Sequence, residues 1–109
     1  MPNYSFDGTE GKPIDLATAK QWAANYRTKN PGATEAHFFG HDIVGRILAE
    51  ATCLGIRVYY AIDDKGNRQL LVVGADSAGD NLLPSADGSG NEIADYSYPC
   101  PTYCASNAL

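Results

Sequence analysis

Between Gly55 and Ala75 the chain reads GIRVYYAIDDKGNRQLLVVGA. In the first run Ile56, Val58, Tyr60 and Ile62 alternate with Arg57, Tyr59, Ala61 and Asp63. A period of two places each set on one face of a strand. The second run, Leu70 to Val73, is apolar throughout. Both runs are rich in β-branched residues, and the first adds two tyrosines, a composition that suits a pleated, half-buried surface. Between them Asp63-Asp64-Lys65-Gly66-Asn67 has the chemistry of a short hairpin loop: Asp opens such turns, and Gly66 takes a left-handed position without a Cβ clash. The pattern predicts a β-hairpin.

Upstream, the spacing changes to that of helices. Leu16, Ala19, Trp22, Ala23 and Tyr26 recur on one helical face. Asp15 stands as the N-cap, with Ile14 before it able to staple onto the first turn. Arg27 and Lys29 complement the dipole of the last turn, and Asn30-Pro31-Gly32 stops the helix. The stripe predicts Trp22 buried against the sheet. Residues 34–39, TEAHFF, read either as a helix start at Thr34 or as a short strand, and Gly40 tips the reading toward strand or turn. From His41, the stripe Ile43, Val44, Ile47, Leu48 and Ala51 predicts a second helix, with Gly55 as its C′ glycine.

The two ends read differently. Tyr4 and Phe6 alternate before the turn at Asp7-Gly8, which suggests a short edge strand. Residues 76–109 are rich in Gly, Pro, Ser, Asn and Asp, with Leu82, Leu83, Ile93, Tyr96, Tyr98 and Tyr103 as scattered apolar anchors. Residues 91–98, NEIADYSY, suggest one more edge strand, and the rest is irregular chain. The predicted class is α+β: a small antiparallel sheet built on the central hairpin, two helices packed on one face, and an irregular acidic C-terminal tail. A length of 109 residues fits a single domain, 1–109, with its core at about 14–75.

Charge sharpens the division. Residues 1–75 hold all eight Lys and Arg and eight of the thirteen acids, so residues 76–109 carry the whole net charge of −5. The body offers no basic stripe and the tail repels phosphate, so nucleic acid is not an expected partner. No run is long and apolar enough for a bilayer span. The opening MPNYSFDGTEGK lacks the basic and apolar regions of a secretion signal. A cytoplasmic location is expected, with leaderless export left open.

The helix ending in NYR, the FFG before the second helix, the GIRVYY strand, the DDKGN turn, the LLVVGAD strand and the Cys-Pro tail together resemble a recurrent group of small bacterial proteins. The resemblance spans about residues 14–80 and again 99–104. It implies a common fold and no assigned activity, and it carries no catalytic residue over to this chain.

Candidate chemistry is sparse. Cys100-Pro101-Thr102-Tyr103-Cys104 superficially resembles a thiol-disulfide site. Three residues separate its cysteines instead of two, and too few follow Cys104 for the helix that lowers a catalytic thiol pKa. A small disulfide loop, two reduced thiols, or pairing between chains are the ordinary readings. The first of these predicts that Cys100 and Cys104 pair with each other while Cys53 stays reduced and buried. Zinc would draw on these two with His37, His41 or Cys53, but only one Cys pair exists and no metal site is expected. Asp87-Gly88-Ser89-Gly90-Asn91 half fits a calcium loop, and turn-forming Asx residues explain it as well. No nucleophile elbow or phosphate-binding loop is present, so neither catalytic residues nor a cofactor are expected. Arg57, Tyr59, Tyr96, Tyr98 and Tyr103 are the candidates for interaction. The expected function is a non-enzymatic structural or protein-interaction module that self-associates through sheet edges and the Cys-bearing tail. The alternative is a thiol-redox or metal-binding protein using Cys100 and Cys104.

Overall fold

The computed structural model describes residues 5–109; Tyr4, and with it half of the predicted edge strand, lies outside them. The fold is α+β, as the sequence predicts, with two helices and antiparallel sheets built around a β-hairpin among the described residues. The chain divides into two compact units. One comprises Phe39–Ser97 with the stretch ending at Glu10, and the other comprises Gly11–Phe38 with Tyr98–Leu109.

The first unit holds the hairpin. Strand β2 (Gly55–Ile62) pairs antiparallel with β3 (Arg68–Ala75), from Gly55 opposite Ala75 to Ile62 opposite Arg68. The predicted turn closes it. The Asp63 N–H donates to Asn67 O at 2.9 Å, the Asp63 carboxylate accepts the N–H groups of Lys65 and Asn67, and Gly66 has φ +85°. Hydrogen bonds to this carboxylate, with the one from the Gln69 side chain foremost, hold its pKa below the ordinary value. Strand β4 (Asn81–Leu82) pairs with the end of β3, so the strand order is β2-β3-β4.

Helix α2 (His41–Leu48) packs on β2 and β3. It seats Ile47, 0% exposed, against Val72 and Ala94, with Phe39 and Ile43 packed around them. Its end differs from the sequence reading. The helix caps at Ala49, Thr52 takes the left-handed conformation at φ 66°, and Gly55 is already the first residue of β2. A β-branched residue at positive φ is unusual, so nothing in the sequence flags this exit.

The tail supplies more than irregular chain. Ala94 exchanges both backbone hydrogen bonds with Val72, at 2.8 and 3.1 Å, and is buried. The strand expected over 91–98 is broken at Tyr96, which turns to φ 58°: Ala94 keeps this bridge, and Tyr98 already belongs to a later strand. Arg46 clamps the segment through Nε to Glu92 at 2.9 Å, and the Glu92 N–H donates to the Glu50 carboxylate at 2.8 Å.

The second unit holds α1 (Leu16–Lys29), β1 (Ala36–Phe38) and β5 (Tyr98–Cys100). The Asp15 cap is as predicted: its carboxylate accepts the Thr18 N–H at 3.0 Å, and that bond draws its pKa below the ordinary value. Trp22 corrects the sequence reading. It is 61% exposed, and α1 carries no buried residue. The small residues Ala19 and Ala23, with Arg27, lie on the half-buried face instead. Residues 36–38 are the strand that Gly40 favoured, paired antiparallel with β5 from Ala36 opposite Cys100 to Phe38 opposite Tyr98.

Candidate functional site

Two surfaces gather the residues that the sequence singles out. The first lies within the second unit. A cleft of about 370 Å³ is lined by Tyr26, Arg27, His37, Phe38, Tyr98 and Tyr103, with Glu35, Cys100, alanines and Leu109 completing it. The β1–β5 pairing makes it, by placing His37 opposite Pro99 and Phe38 opposite Tyr98. Tyr98 and Tyr103 lean together with ring centroids 4.8 Å apart. The Tyr26 hydroxyl donates to Thr34 O at 3.1 Å, which fixes the end of α1 to the start of the ribbon. Arg27 donates to Leu109 O at 2.9 Å and lies 3.4 Å from the Glu35 carboxylate. Burial pushes the His37 imidazole below its ordinary value, toward the neutral form.

Cys100 lines this cleft and stands at disulfide distance from Cys104, with Cα atoms 4.7 Å apart. Cys100 is buried. Cys53 is a free thiol in the other unit and half-buried rather than buried; its Sγ contacts Gly55 O at 3.2 Å. Among the described residues no group of three or more His, Cys, Asp or Glu is placed to hold a metal ion.

The second surface is the outer edge of β2. Among the described residues β2 pairs only with β3. The Asp63–Asn67 bond fixes the phase of the ladder. Hydrogen-bonded pairs alternate with non-bonded ones in an antiparallel pair. The odd-numbered residues of β2 therefore turn their N–H and C=O groups to β3, and Ile56, Val58, Tyr60 and Ile62 turn theirs outward. The side chains of these four residues share one face, and the α2 cluster covers that face toward Val72. Tyr60 lies beyond this cover at 93% exposed, and Ile62 at 72%. Ile56, Val58 and Tyr59 are also exposed, so five of the eight strand residues are large, apolar or aromatic, and open to solvent.

The five residues expected to interact do not gather at one place. Arg57 is spent largely on the fold: Nη1 donates to Gly79 O at 2.8 Å and to Asn81, and the guanidinium sits over the Phe6 ring at 5.6 Å. The Tyr59 hydroxyl accepts the Asn81 side-chain N–H at 2.6 Å, and the residue remains exposed. Tyr96 is exposed on its left-handed turn, whereas Tyr98 and Tyr103 belong to the cleft. Tyr60 and Ile62, the most open residues of the hairpin, are not among the five. Alternation shows that they share a face but not that the face is bare. No helix among the described residues is long and apolar enough to cross a membrane. Comparisons with protein-family models, with curated proteins and with solved structures find no match.

Proposed function

We propose that this chain is a non-enzymatic structural or protein-interaction module that self-associates. The observation carrying this reading is the outer edge of β2, where Ile56, Val58, Tyr59, Tyr60 and Ile62 are exposed along one strand. Unpaired strand edges are templates for another strand, and natural proteins blunt them with Lys, Pro or bulges unless they are used. β2 has no Lys or Pro, and its one charge, Arg57, is turned onto Gly79 and Asn81. The partner is protein rather than nucleic acid, because the surplus charge is negative. Membership of the bacterial group that the motifs resemble belongs to the same proposal and adds no activity to it. The test is the native mass by light scattering, with and without reductant, across a concentration series. A concentration-dependent dimer or larger species is expected. A monomer throughout sinks the reading.

The Cys100–Cys104 distance of 4.7 Å favours a second reading, a thiol-redox protein. The burial of Cys100 speaks against that residue as the attacking thiolate, which needs access, whereas Cys104 is exposed. Slow alkylation of Cys100 in the folded, reduced protein is expected. Fast labelling by a thiolate with a pKa well below about 8.5 would favour redox chemistry instead.

A further inference from the structure

We propose that the self-association takes one geometry: the β2 strands of two copies pair antiparallel about a two-fold axis at Tyr60, joining two sheets into one. This rests on the interaction reading above and goes further by naming the occupant and the register. The outward N–H and C=O groups belong to even-numbered residues, so a hydrogen-bonded self-pairing must match even with even. Three such registers lie near the centre of the exposed stretch, with the axis at Tyr59, Tyr60 or Ala61. An axis at Ala61 sets Val58 against the second copy's Asp64, apolar against acid. An axis at Tyr59 sets Arg57 against Ala61 and Asp63 against Gly55, leaving both charges without a counterpart. An axis at Tyr60 sets Arg57 against Asp63, twice by symmetry, with Val58 against Ile62 and Tyr60 against itself. Only this register suits both the charges and the apolar side chains.

Directly opposed residues of an antiparallel pair hold their Cβ atoms about 4.5–5.5 Å apart, so Val58, Tyr60 and Ile62 become cross-strand neighbours of Ile62, Tyr60 and Val58 of the second copy. Arg57 donates to Gly79 and Asn81 through Nη1, and Asp63 Oδ2 accepts the Gln69 amide at 3.0 Å. A guanidinium carries five N–H donors and a carboxylate about four lone-pair sites. Each group therefore keeps bonding capacity toward the other. Phe6 and Glu10 lie beside the Gly55–Arg57 end of β2, and the pairing is centred beyond them, at Tyr60. A contact of one strand per copy is small, so the association belongs to the weak class, with less than about 1,200 Å² buried in total.

The experiment uses the full chain at about 10 μM to about 1 mM, with two variants at the most exposed position. Tyr60→Cys is oxidised and its cross-links are mapped by peptide mass spectrometry. Tyr60→Lys sets two cations together on the axis, and circular dichroism checks that it folds. A dimer, a mapped link between the two introduced thiols, and a monomeric Tyr60→Lys are expected. A dimer that shows no such link and survives Tyr60→Lys overturns this geometry and leaves the interaction reading standing. A wild-type chain that is monomeric throughout overturns both.

Discussion

Ile47→Ala tests the packing on which the first unit depends. Ile47 is 0% exposed and sits among Val72, Ala94, Phe39 and Ile43. The substitution removes three carbons, each contributing about 0.8 kcal/mol of transfer free energy, or about 2.4 kcal/mol together. A residual cavity of about 40 Å³ adds about 1 kcal/mol at about 24 cal/mol per Å³. The expected loss is therefore about 3–4 kcal/mol, a large part of the roughly 5–15 kcal/mol that holds a small protein folded. Urea unfolding followed by circular dichroism measures it. Ile47→Val should cost about 0.5–1.5 kcal/mol and keeps the measurement readable if the alanine variant unfolds. A loss below about 1 kcal/mol for Ile47→Ala would show that the α2–β3–Ala94 cluster is not the packing centre.

Three further outcomes rest on named residues. Gly74→Ala should destabilise by about 1–3 kcal/mol, because its Cβ would stand 2.9 Å from Cys53 Sγ and 3.1 Å from Glu50 Oε1; a neutral result in urea unfolding would mean that these neighbours yield freely. Trp22→Ala should cost at most about 2 kcal/mol, since the ring is 61% exposed; a loss of about 3 kcal/mol or more, as for a buried aromatic, would contradict that exposure. His37 should titrate by NMR below its ordinary value. Because the unfolded chain then takes up the proton first, this residue's contribution to stability is complete above about pH 6.5 and is lost as pH falls through the folded value; a midpoint above about 6.5 would refute the burial argument.

Local signals make the hairpin and the N-cap of α1 legible. Alternation from Ile56 to Asp63, the Asx-Gly turn, and Asp15 before a helical stripe each act within a few residues, and each appears as predicted. What the sequence hides is non-local. A stripe shows which residues share a face, not what covers them. Trp22 therefore reads as core, although Ala19 and Ala23 lie on the half-buried face of α1. The β1–β5 pairing joins strands of three residues from distant parts of the chain, and no periodicity marks so short a run. Ala94 enters the core through a single bridge to Val72, with a small side chain that no pattern distinguishes from its neighbours. The interaction candidates suffer in the same way. Arg57 stands out for its charge, which the fold uses on Gly79 and Asn81, while Tyr60 is hidden among the apolar positions of its strand.

The distribution of exposed apolar side chains separates β2 from the rest of the surface. Exposed apolar residues scattered singly are normal in folded proteins and call for no partner. Tyr96 is of that kind, on its left-handed turn. A contiguous patch differs, because large exposed apolar patches mark surfaces that other molecules cover. Ile56, Val58, Tyr60 and Ile62 lie exposed on one face, and the same residues turn outward backbone groups that no strand among the described residues pairs. A ligand filling only the apolar face would leave those backbone groups to water. A second strand alongside satisfies the backbone and adds cross-strand contacts in one step. The coincidence, among the described residues, of exposed side chains and unpaired backbone in one strand is therefore what favours strand pairing over capture of a small apolar molecule.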